Sequence, residues 1–164
     1  MIISLSGRRC LAFLSVCGIA ATILAYITSF FGGWIDISLL WVAPLGFGAL
    51  ALGMPIRFIE PSSKFPSYFW TEFTQGMPKW VFPFLILVWL TTAAHFAWFS
   101  FHVGFGVPEI KDGQYVLDNH TEVLKVLTQS EYLSLKGAQV RMIATVMISM
   151  YAVPTIYWYF RRPE

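Results

Sequence analysis

The sequence predicts an all-α membrane protein with four transmembrane helices and a small extracytoplasmic β-hairpin before the last helix. The 164-residue chain is 57% hydrophobic and 12% charged, against roughly 45–50% and about 25% in soluble domains. Four apolar stretches are long enough, or nearly so, to cross about 30 Å of hydrocarbon. One polar stretch, residues 108–137, separates the last two. This composition excludes a soluble enzyme.

The four predicted spans cover residues 10–31, 37–54, 80–104 and 139–160. A chain of this length is expected to form one domain, here a single four-helix transmembrane domain. The second span is short and contains Pro44, which can interrupt a helix. Pro154, near the end of the last span, predicts a kink there.

The distribution of Lys and Arg predicts that both termini are cytoplasmic. In that orientation the cytoplasmic segments hold Arg8, Arg9, Arg57, Lys64, Lys79, Arg161 and Arg162, and the outer segments hold Lys111, Lys125, Lys136 and Arg141. Basic residues accumulate on the cytoplasmic side of membrane proteins. We therefore predict a multi-pass protein of the inner membrane. The net charge of +2 gives no indication of nucleic-acid binding.

Small residues predict how the first two spans pack. Cys17, Ala21 and Ala25 repeat every four residues in the first span, and Ala49 and Gly53 do so in the second. Small residues at this spacing allow helix backbones to approach closely. Cys10 and Cys17 are interpreted as buried free thiols that act as small apolar residues.

The segment between the second and third spans predicts a short amphipathic helix in the headgroup layer. Phe69, Trp70 and Phe73 would share its apolar side. A helix of this kind lies in the plane of the membrane interface. A docking site for a cytoplasmic partner is the alternative.

A polar stripe is predicted on the third span. Thr91, His95, Trp98 and His102 follow a spacing that places them on one helical face. Ionisable residues inside a span usually face the bundle interior or a water-filled cavity. A structural role is one interpretation, with neutral His95 hydrogen-bonded to a hydroxyl or a backbone carbonyl. Proton or substrate handling and a haem or metal ligand are the alternatives.

The ligand count disfavours a metal or haem at this stripe. His120 is the one other histidine, and no other span carries a second axial ligand of that kind. The prediction is therefore that the protein has no metal site and no cofactor. No nucleophile lies beside Asp118, His120 or Glu122, so no catalytic residues are predicted.

The polar stretch predicts a hairpin followed by a capped helix. Residues 114–117 and 123–127 have strand patterns, and Lys111-Asp112-Gly113 is a turn signal. Thr128 and Glu131 form a capping-box pattern, in which Thr caps the helix and Glu reaches back to the cap. The helix that begins there can continue into the last span.

This hairpin has more apolar side chains than a solvated hairpin should expose, and an isolated hairpin is marginal in water. It must therefore pack on its own helices, on a second copy or on a partner strand. The predicted partner-binding residues are Tyr115, Leu117, His120, Leu124 and Val126.

The polar stretch resembles that of small four-span bacterial membrane proteins with no assigned role. The residues that carry this resemblance are Pro108, Glu109, Gly113, Tyr115, Leu117, Asn119, His120, Leu127, Thr128, Glu131 and Tyr132. It covers roughly the last third of the chain and implies a location more than an activity. In size and layout the chain is also similar to membrane-embedded immunity proteins, which protect a cell from a pore-forming toxin.

These observations lead to a non-enzymatic inner-membrane protein that acts by contact. The expected partners are the lipid bilayer and a protein, either a toxin or a subunit of a membrane complex, or a second copy. A small oligomeric channel or transporter that uses the His95 face is the first alternative. A haem-bearing redox subunit is the second.

Overall fold

The computed structural model describes residues 5–31, 44–53, 76–104, 106–119 and 122–160. They form four helices, α1 (Leu5–Thr28), α2 (Pro44–Gly53), α3 (Val81–Val103) and α4 (Gln129–Phe160). Three strands, β1 (Val107–Lys111), β2 (Gln114–Asp118) and β3 (Val123–Val126), form one sheet. The end of the helices that carries this sheet is called the sheet end below, and the other is the opposite end.

Three of the helices, α1, α3 and α4, are long and apolar enough to cross a membrane. The prediction of a mainly helical protein with long apolar helices and a small β element is confirmed, and the three long helices are consistent with a membrane protein. The second predicted span is described over residues 44–53, which form the short helix α2. Its first part, residues 37–43, lies outside the described residues.

The last helix, α4, lies at the centre of the described bundle, and α1 and α3 both pack against it. Its buried residues include Val140, Ala144 and Tyr157. By contrast, α1 and α3 expose many large apolar side chains, including Leu24 and Phe101. Lipid tails are as apolar as these side chains, so such surfaces suit a bilayer. Pro154 lies within α4, which continues to Phe160.

A row of small residues forms the face of α1 that packs on α4. Its members recur every three or four residues: Ala12, Ser15, Gly18, Thr22, Ala25 and Ser29. The hydroxyls of Ser15 and Thr22 donate to the carbonyls of Leu11 and Gly18, at 2.8 and 2.7 Å. Because these hydroxyls are satisfied within the helix, they can be buried like small apolar groups.

The predicted packing row on α1 is therefore partly wrong. Ala25 is buried, but Cys17 and Ala21 are exposed. Cys10 and Cys17 are free, as expected, but both are exposed rather than buried. They lie beside the small-residue face and not on it.

Tyr151 of α4 fills the space that two glycines leave open. A Cβ on Gly18 of α1 would overlap its ring, and a Cβ on Gly48 of α2 would lie 2.6 Å from its hydroxyl oxygen. The hydroxyl donates to the Leu45 carbonyl at 2.7 Å, and the Trp158 indole N–H donates to the Leu52 carbonyl at 3.1 Å. The two donors lie seven residues apart on α4, and the two acceptors lie seven residues apart on α2. The short helix α2 therefore runs parallel to the last part of α4.

The contact between α3 and α4 has an apolar cluster at each end. At the opposite end, Val81 and Leu85 of α3 pack with Ile156 and Trp158 of α4. At the sheet end, Phe99 and Val103 pack with residues of α4 and the sheet. Between the clusters, the Thr92 hydroxyl donates to the Thr145 carbonyl at 3.1 Å.

The sheet is antiparallel with strand order β1-β2-β3. The predicted turn at Asp112-Gly113 joins β1 to β2, and both residues have positive φ, 51° and 76°. Such two-residue turns match the twist of a hairpin. The two predicted strands are confirmed, but the prediction of a two-stranded hairpin is wrong. The additional strand, β1, contains Pro108 and lies at an edge, where proline is tolerated.

The predicted capping box is also confirmed. The Thr128 N–H donates to Glu131 Oε2 at 2.8 Å, and the Glu131 N–H donates to Thr128 Oγ1 at 3.2 Å. The helix that follows runs without interruption from Gln129 to Phe160. At 1.5 Å per residue its 32 residues span about 48 Å. This exceeds the thickness of the hydrocarbon layer by more than half.

Candidate functional site

The inner face of the sheet packs on the first turns of α4 and the end of α3. Leu117 and Leu127 are buried in the same cluster as Tyr132. The Tyr115 and Tyr132 rings have centroids 4.8 Å apart. Two of the five predicted partner-binding residues, Tyr115 and Leu117, therefore face the chain's own helices.

An exposed edge is formed by β3. All four of its residues are exposed, with Val123 at 49%, Leu124 at 42% and Val126 at 61%. Leu124 also contributes to the packing around Gly106, because a Cβ there would lie 3.1 Å from Leu124 Cδ1. The predicted residues Leu124 and Val126 thus lie at the surface, and His120 lies outside the described residues.

The backbone of β3 presents hydrogen-bonding groups to the open edge. The Leu127 N–H donates to the Tyr115 carbonyl at 2.8 Å, and Val126 lies opposite Val116. Because hydrogen-bonded and non-hydrogen-bonded pairs alternate in an antiparallel ladder, the N–H and C=O of Val126 point away from β2. Within the described part of the chain, no strand pairs with this side of β3. Unpaired edges of this kind can accept an added strand.

An ion pair joins β1 to β2. Lys111 Nζ lies 2.7 Å from Asp118 Oδ2, and the Asp118 side chain is 3% exposed. The hydrogen bond to Asp118 raises the pKa of Lys111. The long Lys111 side chain extends from the turn along the sheet to reach this carboxylate.

A groove lies between β3 and the first turns of α4. Its volume is about 390 Å³, and its lining combines an apolar floor with polar side chains: His102, Leu117, Lys125, Leu127, Ser130, Glu131, Ser134 and Leu135. Lys125 donates to Glu131 Oε1 at 2.7 Å, which joins the strand to the helix cap. The groove therefore opens beside the exposed edge and shares Lys125 with it.

The polar stripe on α3 lies mainly on its surface. Thr91, Trp98 and His102 are exposed, whereas His95 is half-buried. The His102 ring stacks on Trp98, with centroids 4.3 Å apart, and its Nδ1 lies 2.8 Å from the Trp98 carbonyl. The four residues share a face, as predicted. Thr91 and Trp98 lie at the surface, and His102 lines the groove beside α4.

His95 joins α3 to α1. Its Nδ1 lies 2.9 Å from the Thr91 carbonyl, and its Nε2 lies 3.3 Å from the Tyr26 hydroxyl. Because a carbonyl only accepts, Nδ1 carries the hydrogen and Nε2 can accept from Tyr26. The structural interpretation of His95 expected a hydrogen bond to a hydroxyl or to a backbone carbonyl, and His95 lies within hydrogen-bonding distance of one of each.

Phe69, Trp70 and Phe73 of the predicted interfacial helix lie outside the described residues. Among the described residues, no group of three His, Cys, Asp or Glu side chains is placed to hold a metal ion.

Pairing with a partner strand was one of the predicted alternatives, but the sequence did not indicate which edge would be open, because a two-stranded hairpin has two open edges. The third strand, β1, covers one edge of β2 and leaves β3 as the apolar edge. Comparisons of the chain with protein families, with curated proteins and with solved structures found no match.

Proposed function

We propose that this chain is a multi-pass inner-membrane protein that acts by protein–protein contact, without catalysing a reaction. The observation that carries the proposal is the open edge of β3, whose four residues are all exposed and three of them apolar. An immunity-type protein or an accessory subunit of a membrane complex is the class that fits. The partner is a toxin, a complex subunit or a second copy.

The proposed topology has four spans, both termini in the cytoplasm and the sheet outside. It is supported by the three long apolar helices and by the distribution of Lys and Arg. A single cysteine at Asp112, in the turn between β1 and β2, tests the orientation. In a background with Cys10 and Cys17 changed to Ala, we expect a membrane-impermeant maleimide to label it in intact cells. Labelling only after the cells are opened would contradict the orientation.

The contact is tested by variants that alter the edge and spare the fold. Because the Val126 N–H points away from β2, Val126→Pro removes no hydrogen bond within the sheet, and proline blocks an added strand. We expect Val126→Pro, and the pair Leu124→Ser with Val126→Ser, to abolish partner cross-linking in native membranes. Ile110→Ser is the matched control, since Ile110 is 56% exposed on the opposite edge strand.

Two outcomes separate the kinds of partner. Cross-links between differently tagged copies that disappear in Val126→Pro would identify self-association. Cross-links to another protein that disappear in the same variant would identify a partner chain. Unchanged cross-linking in both β3 variants, with the sheet still folded, would remove this edge from the proposal.

A further inference from the structure

Arg141 is a half-buried cation on the membrane-crossing helix α4. One guanidinium nitrogen, Nη1, donates a long hydrogen bond of 3.4 Å to the Ser29 carbonyl. The central carbon of the guanidinium lies over the Phe30 ring, 4.6 Å from the ring centroid. A guanidinium has five N–H donors in its plane. Within the described part of the chain, the Ser29 carbonyl engages one of these donors, and the others are available to an acceptor.

No carboxylate of the described residues neutralises this charge. The two ion pairs in the described part of the chain are Lys111–Asp118 and Lys125–Glu131. The acidic residue of α4, Glu131, lies ten positions away, about 15 Å along the helix. An unpaired charge at membrane depth is costly, so such residues find a counter-charge or reach the interface.

The depth of Arg141 places it at the boundary of the hydrocarbon layer. From Phe160 to Arg141 the helix rises about 29 Å, which matches the roughly 30 Å thickness of that layer. The first helix indicates the same depth for Ser29, because Arg9 and Ser29 are separated by about 30 Å along α1. Ser29 and Arg141, which are in contact, therefore lie together at one headgroup layer. Residues 129–140 of α4 and the sheet extend beyond it.

We propose that Arg141 binds the phosphodiester of a phospholipid headgroup in the leaflet at the sheet end. Arg and phosphate form paired, charge-assisted hydrogen bonds in the plane of the guanidinium. Phe30 packs against the guanidinium and limits its contact with water on that side. The lipid tails would lie along the exposed apolar surfaces of α1 and α3, including Leu24 and Leu90. This site is independent of the contact proposed at β3.

The test measures lipid retention by the purified chain with native mass spectrometry. The probes are phosphatidylglycerol, phosphatidylcholine and a monogalactosyl diacylglycerol, which has no phosphate. We expect the wild type to retain both phospholipids and to be stabilised thermally by them, but not by the glycolipid. Arg141→Gln should weaken phospholipid binding about tenfold, in line with loss of a charge-assisted pair, and Arg141→Lys should weaken it less.

Lys79→Gln is the matched control, because it removes one exposed positive charge at the opposite end; it should leave this retention unchanged. Equal stabilisation of the wild type by the glycolipid would overturn the proposal without any variant. Displacement of the lipid by millimolar inorganic phosphate would show a free-anion site instead. A third result would also overturn the proposal: phospholipid retention that is unchanged in Arg141→Gln, together with equal destabilisation of the protein by Arg141→Gln and by Asp36→Asn. It would show that the guanidinium pairs with the Asp36 carboxylate.

Discussion

The Tyr151 hydroxyl of α4 donates a 2.7 Å hydrogen bond to the Leu45 carbonyl in the first turn of α2. The same ring occupies the space above Gly18 and Gly48. One side chain therefore joins three helices, through a hydrogen bond to one of them and through close packing on two.

Removal of this hydroxyl should loosen α2 without opening the bundle. Tyr151→Phe keeps the ring in place and leaves the Leu45 carbonyl without the donor. We expect a loss of about 1 kcal/mol in the free energy of unfolding, the typical value for one hydrogen bond. Steric-trap or denaturant unfolding in detergent micelles provides the measurement. Tyr159→Phe, at a residue that is 72% exposed, should have no measurable effect, and equal losses in both variants would contradict this role.

The glycine at position 18 should be far less replaceable than the glycine at position 53. Gly18→Val places side-chain atoms where the Tyr151 ring lies, so we expect a cost of about 1–3 kcal/mol, as for other overpacked cores. Gly53→Ala is the control, because no described residue lies within 4 Å of a Cβ there. It should be neutral or slightly stabilising. Both are compared by thermal unfolding in one detergent, and similar midpoints for the two would refute the packing argument.

The capping box should determine whether the first turn of α4 is formed. Thr128→Ala removes the acceptor for the Glu131 N–H, and we expect a cost of about 1 kcal/mol. Thr128→Ser keeps the hydroxyl and should keep the stability. Hydrogen exchange of residues 129–132 measures the effect locally. If exchange in this turn were the same in Ala and Ser variants, the cap would not stabilise the helix.

The Lys111–Asp118 pair predicts a stability change at alkaline pH. The pKa of Lys111 is raised above its ordinary value of 10.5 by its hydrogen bond to Asp118. The pair therefore stabilises the fold fully below about pH 10.5 and is lost as pH rises through the higher folded pKa. In Lys111→Arg the charge persists over this range. We expect the melting temperature of the wild type to fall relative to Lys111→Arg above pH 10.5.

Lys111→Met gives the limiting case for this pair. It leaves the buried Asp118 carboxylate without this cation at every pH, so its melting temperature should be the lowest of the three below pH 10.5. Above the folded pKa of Lys111, the melting temperature of the wild type should approach that of Lys111→Met. Parallel pH profiles for wild type and Lys111→Arg up to pH 12 would show that the pair does not contribute.

The parts of the fold that the sequence predicts well are those determined by local interactions. Thr128 and Glu131 are three residues apart, and Asp112-Gly113 forms a tight turn, so neither depends on distant residues. The long helix follows, since no strong stop interrupts the chain after the cap. The strand β1 was missed because Pro108 argues against a strand, and only the edge position, a tertiary property, permits it.

The packing faces were harder to predict for a related reason. In a membrane both the lipid-facing and the helix-facing sides of α1 are apolar, so hydrophobic periodicity does not distinguish them. Ser15 and Thr22 mark the packed side, because their hydroxyls bond to the helix's own carbonyls. The exposure of Leu124 and Val126, and the burial of Leu117, depend on how the sheet sits on α4. No local pattern specifies that arrangement.

The central position of α4 has a consequence for biosynthesis. The first and third helices pack on α4 more than on each other, and a ribosome makes α4 after both. During translation, α1 and α3 enter the bilayer with their packing faces turned to lipid or to an insertion factor. The small-residue face of α1, with the space that the Tyr151 ring fills, stays uncovered until a segment more than one hundred residues further along the chain has been synthesised. Assembly of the bundle is therefore a late event, completed only once α4 has entered the membrane.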